Sequence, residues 1–121
     1  MRLLRTCFAL MASFVIVLAL SAPASADTTY RLTDSAGDWG QWNATTNNLT
    51  ICDHSPGNGT AKVVLRVVNG NTVTLFDDNG DGGGCGFDGN LNVDDTKSAY
   101  LKVCTNGSAT NCTPELGPFG L

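Results

Sequence analysis

Residues 61–78 read AKVVLRVVNGNTVTLFDD, two β-branched runs that meet at an Asn-Gly pair. Asn-Gly in that setting is the preferred two-residue type I′ hairpin turn, because both central residues need positive φ. With Asn69-Gly70 as the loop, Val68 is expected opposite Asn71, Val64 opposite Leu75 and Val63 opposite Phe76. Lys62 then faces Asp77, an opposite-charge cross-strand pair worth under about 1 kcal/mol. Apolar residues fall on both sides of this ribbon, so it should lie centrally in the fold.

Similar short runs make up the rest of the chain beyond residue 26: TTYRLT (28–33), GQWNAT (40–45), NLTICD (48–53) and SAYLKVCT (98–105). Tyr30 and Leu32 share one face of the first. Ala99, Leu101 and Val103 alternate with Tyr100, Lys102 and Cys104 in the last. No stretch carries apolar residues at the helical spacing over three turns. About six short strands with no intervening helix predict an all-β fold, a small antiparallel β-sandwich of immunoglobulin-like, Greek-key type. Residues 27–113 form that domain. The ending TPELGPFGL, with two Pro and two Gly, predicts a loosely ordered tail over residues 114–121.

The first 26 residues belong to a different kind of segment. Arg2 and Arg5 precede an apolar run of 13 residues, Phe8 to Leu20, and Ala24-Ser25-Ala26 offers a small-residue cleavage site. That is the layout of a secretory signal peptide, and the run is short of the ~20 residues a membrane-spanning helix needs. The expected location is therefore secreted and extracellular, with no membrane association after cleavage.

Removing Arg2 and Arg5 leaves five basic residues against eleven acidic ones, a net charge of 5 − 11 = −6 with His54 neutral. A phosphate backbone would be repelled, and no basic stripe offsets this, so nucleic acid is excluded as a partner. Four cysteines remain: Cys52, Cys85, Cys104 and Cys112. An even number in a small exported chain predicts two disulfides, with three connectivities open. The spacings do not match paired zinc ligands. The turn-like TNGSATN between Cys104 and Cys112 favours that pair, and hence Cys52 with Cys85.

The segment from Asp77 to Asp88 has the strongest chemical content. Asp77-Asp78-Asn79-Gly80-Asp81-Gly82 matches the opening of a calcium loop, and Asp88 stands at the twelfth position. On that template Asp77, Asn79, Asp81 and Asp88 would offer side-chain oxygens and Gly83 its carbonyl. No other cofactor is implied. A strand on one side and glycines on the other exclude a helix–loop–helix calcium hand. The competing reading is an acidic turn restrained by Cys85.

Asp53-His54-Ser55 places three catalytic residue types side by side, but adjacent residues point apart and cannot relay a proton. No paired catalytic carboxylates, phosphate loop or dinucleotide fingerprint occurs, so no catalytic residue is assigned and the chain is expected not to be an enzyme. Trp39 and Trp42 are the candidate binding residues; they lie three apart in one strand, so their indoles should face opposite sides, with one expected in the core. Sequons at Asn43, Asn48, Asn58, Asn106 and Asn111 signify glycosylation only in a eukaryotic source.

Asp38-Trp39-Gly40-Gln41-Trp42, then Leu49-Thr50-Ile51-Cys52-Asp53, and the final Val103-Cys104 with Cys112 together resemble the small exported proteins of filamentous actinobacteria. The resemblance implies a β-sandwich and a bacterial exported location, and no activity. The expected function is a secreted, non-enzymatic binding module whose partner is an extracellular protein or a cell-wall or polysaccharide component. A small inhibitor of an extracellular hydrolase and a calcium-stabilised structural protein are the alternatives.

Overall fold

The computed structural model describes residues 28–54, 60–78, 84–105 and 111–121. Among them, the chain forms β1 (Thr29–Thr33), β2 (Trp39–Asn43), β3 (Asn48–Cys52), β4 (Lys62–Val67), β5 (Thr72–Phe76), β6 (Gly86–Asp88), β7 (Ser98–Cys104) and β8 (Leu116–Gly120). One sheet has the order β1-β2-β3-β6 and the other β5-β4-β7-β8, antiparallel throughout. The expected small β-sandwich is what forms. Its strand order has its own character: β2 lies between β1 and β3, whereas the immunoglobulin order sets the second strand beside the fifth.

Alternation explains why these two layers stick together. Trp42, Leu49 and Ile51 point inward from the first sheet, and Val63, Leu65, Leu101, Val103 and Phe119 from the second. Gly40 is the point of closest approach. A Cβ there would lie 2.6 Å from Val63 Cγ2 and 2.8 Å from Val103 Cγ2, so only glycine lets β2 sit this near the facing sheet.

Both disulfides join the expected partners, Cys52 with Cys85 and Cys104 with Cys112. The first ties the end of β3 to the start of β6 across a separation of 33 residues. Loop closure of that length contributes roughly 4 kcal/mol in the chain-entropy account.

The hairpin forms with a different register from the one the turn residues suggest. Lys62 pairs with Phe76, Val63 with Leu75, Val64 with Thr74 and Leu65 with Val73. The loop is therefore residues 68–70, with Val67 N–H donating to Asn71 O and Gly70 N–H to Val67 O, both at 3.1 Å. Asn69 takes a positive φ of 53° and Gly70 does not, so the type I′ turn is absent. Burial explains the shift. The observed pairing puts Val63, Leu65, Val73 and Leu75 on one face, whereas a one-residue slip would mix inward and outward side chains. The expected Lys62–Asp77 pair consequently does not exist. Lys62 Nζ lies 6.0 Å from the Phe76 ring centre, and Asp77 is buried.

The C-terminal segment is also ordered, contrary to the expected loose tail. Residues 116–120 form edge strand β8 against β7. Phe119 supplies the apolar anchor, buried and stacked on Tyr30 with ring centres 3.9 Å apart. An edge position tolerates Pro118, which has no N–H to donate. At Gly117, φ is 136° and a Cβ would meet Ala99 O at 2.7 Å, which suits the register shift opposite Ala99 and Leu101. Just upstream, Arg66 binds Glu115 in a bidentate pair at 2.9 and 2.6 Å, with its guanidinium 4.3 Å above the Tyr100 ring. The same pair holds the Glu115 carboxyl below its ordinary pKa.

Gly40→Ala should destabilise the domain by about 2 kcal/mol through overpacking against Val63 and Val103. A lower urea midpoint with an unchanged m-value is the expected signature.

Candidate functional site

Two regions concentrate polar and aromatic chemistry: one end of the sandwich and the outer face of the β1-β2-β3-β6 sheet. The end is formed where β2 and β7 meet their loops. Asp38, Asp53 and Asp77 are all buried there. Asp38 and Asp77 work as backbone acceptors in a region where strand pairing has stopped. Asp77 Oδ2 accepts from Asp53 N–H at 2.8 Å, and Asp38 Oδ1 accepts from His54 N–H at 2.8 Å. Asp34 Oδ1 accepts from the N–H groups of Ala36 and Asp38, and Asp34 Oδ2 accepts the Thr105 hydroxyl. These carboxylates tie loops from both sheets together. A surface groove of about 600 Å³ opens beside Asp34 and Thr105. It is lined by neither His54 nor either tryptophan.

This geometry bears on the expected calcium loop. Asn79, Asp81 and Gly83 lie outside the described residues. Asp77 and Asp88 do not come together. Asp77 is level with Asp53, just past the end of β3, while Asp88 pairs with Leu49, four residues back along that strand. At ~3.3 Å per residue the two levels are about 13 Å apart, and two carboxylates reaching for one ion at about 2.4 Å cannot span that distance. β6, which the sequence pattern did not reveal, sets Asp88 beside Leu49 on the sheet. Among the described residues no group of three or more His, Cys, Asp or Glu is placed to hold a metal ion.

His54 is exposed, with its backbone used by Asp38. Ser55 is outside the described residues, as is most of the TNGSATN segment.

The tryptophans divide as expected. Trp42 is fully buried, and Trp39 stands half-buried on the opposite side of β2. The guanidinium of Arg31 lies 3.8 Å over the Trp39 ring. Register places these two within a larger surface. Arg31 pairs with Gln41, Gln41 with Thr50, and Thr50 with Phe87, so one continuous row crosses all four strands. Paired residues in antiparallel strands share a face. Trp39 stands in the adjoining row, between Thr33 and Cys52. Phe87 is 63% exposed, the most exposed large apolar side chain among the described residues. Its ring extends toward Gly89, where a Cβ would meet it at 2.9 Å. Phe87 was not among the expected binding residues because β6 is only three residues long and lies within a Gly-rich stretch. No Asp or Glu occupies an outward position on β1, β2, β3 or β6.

Compared with family models, with curated proteins and with solved structures, the chain matches none.

Asp77→Ala should cost about 1–3 kcal/mol, because it leaves the buried Asp53 N–H without its acceptor. Asp77→Asn keeps an acceptor oxygen and should retain most of the stability. Thermal melts of both variants measure the difference.

Proposed function

We propose that the protein is a secreted, non-enzymatic binding module that holds a neutral polysaccharide across the outer face of the β1-β2-β3-β6 sheet. The observation that carries this reading is the row Arg31–Gln41–Thr50–Phe87, with Trp39 beside it, on four strands whose outward positions hold no carboxylate. Sugar rings present apolar C–H faces, which stack on aromatic rings, and equatorial hydroxyls, which pair with amides and hydroxyls. Phe87 supplies the first kind of contact, and Gln41, Thr50 and Arg31, whose guanidinium lies over the Trp39 ring, supply the second. The Cα positions of Trp39 and Phe87 are two strands and two residues apart, on the order of 12 Å, which is longer than one sugar ring and suits an extended chain.

Charge favours the same class of partner. The net charge of −6 beyond residue 26 disfavours a polyanion. Two disulfides suit an oxidising compartment, in keeping with export directed by the first 26 residues and with a wall component as the source of the polysaccharide. The fixed sheet limits the ordering cost of binding, since side chains on paired strands are held in place before the ligand arrives.

The test is retention of the mature protein on insoluble neutral polysaccharides and in affinity gels containing soluble ones. Trp39→Ala and Phe87→Ala should each weaken binding by roughly 2 kcal/mol, about thirtyfold, if they act as hot spots. Both side chains are partly exposed, so circular dichroism should be unchanged. Retention that is unaffected by both substitutions, or capture of an extracellular protein through this face with no polysaccharide bound, would overturn the reading.

A further inference from the structure

The basic residues beyond residue 26 are Arg31, Lys62, Arg66, Lys97 and Lys102, scattered along the chain with no run among them. Sheet register gathers three of the five. Lys62 and Arg66 stand at outward positions of β4, since Val63, Leu65 and Val67 are buried on its inner side. Val64, between them, pairs with Lys102 of β7. The three cations therefore surround Val64 on the outer face of the β5-β4-β7-β8 sheet. Lys102 is the diagonal neighbour of both others, with Cα atoms on the order of 7 Å apart. Phe76 of β5 pairs with Lys62 on one side of the cluster, and Tyr100 lies under Arg66 on the other.

The four strands of this sheet contain no Asp or Glu. Glu115, just before β8, reaches the face and shows what the cluster does with a carboxylate. It takes two hydrogen bonds from Arg66, and these, with the charges of Arg66 and Lys102, hold it below its ordinary pKa. Among the described residues, Lys62 and Lys102 form no ion pair. With Glu115 counted, the cluster carries 3 − 1 = +2, whereas the other residues beyond residue 26 carry 2 − 10 = −8.

We propose that this face binds a short, extended acidic segment of another protein, with carboxylates on alternate residues seated at Lys62 and Lys102. Spacing selects a peptide: alternate side chains of an extended chain stand on one side about 6.6 Å apart, which matches the diagonal separation of the two lysines. Charge sets its length. Exposed charges beyond about 8 Å are largely screened at physiological ionic strength, so a ligand confined to the cluster meets positive charge. A long polyanion overhangs the cluster and meets repulsion from the rest of the surface. Phe76, 44% exposed, offers the segment an apolar contact beside Lys62. The polysaccharide face lies on the other sheet, so either reading can fail without the other.

The experiment is a titration of the mature, disulfide-intact protein with a short fluorescent peptide of alternating Glu and Ser, followed by anisotropy at low salt. Binding should saturate and should weaken as salt rises. The same peptide with Gln in place of Glu should not bind. Lys62→Gln and Lys102→Gln should each weaken binding roughly two- to fivefold, the scale of one exposed ion pair, with unchanged circular dichroism. Lys97→Gln, which removes a charge away from this face, should leave binding as it is. Glu115→Gln should strengthen binding, because it frees the Arg66 guanidinium for a ligand carboxylate. No binding of the Glu peptide at low salt, equal binding of the Gln peptide, or indifference to both lysine substitutions would overturn the proposal. So would a loss on Glu115→Gln, or tighter binding of polygalacturonate or polyphosphate than of the peptide.

Discussion

β4 is the strand on which the remaining structure depends. It holds β5 on one side and β7 on the other, and Val63, Val64, Leu65 and Val67 are all buried. Val63 and Leu65 face the opposite sheet, while Val64 lies on the outer side between Thr74 and Lys102. A strand apolar on both faces can sit only in the middle of a sheet. Once β4 is central, β7 is fixed beside it, and Tyr100 comes under Arg66. The inward row of β4 then decides where β2 must lie. Val63 leaves no room for a side chain at position 40, and glycine occurs there. Burial outranks turn chemistry in this hairpin. A preferred turn is worth less than keeping four apolar side chains on the core face, so the loop adjusts to the register.

Much of this architecture can be read from residue order. The β-branched runs became strands close to their expected limits, the disulfides follow the turn between Cys104 and Cys112, and the three-residue spacing of the tryptophans separated a core indole from an outward one. What stayed hidden has a common cause. β6 and β8 are rich in glycine or proline, weak strand formers in isolation, and they exist because neighbours supply the pairing and the apolar contact. Phe119 is a single large residue in a tail of breakers, and its importance comes from Tyr30 across the gap between sheets. The strand that carries Asp88 is set by its pairing with Ile51 and Leu49, which no local pattern could show.

The position of the acidic residues links stability to the proposed binding face. Asp34, Asp38, Asp53 and Asp77 gather where strands end and backbone N–H groups lose their ladder partners. A carboxylate accepts such bonds more strongly than a neutral group, so the end loops gain order from charge. Concentrating negative charge there also keeps it off the outer surface of β1, β2, β3 and β6. On that surface the charged side chain is Arg31, held against Trp39. The protein can thus carry a strong net negative charge, which favours solubility, and still offer a locally neutral aromatic surface.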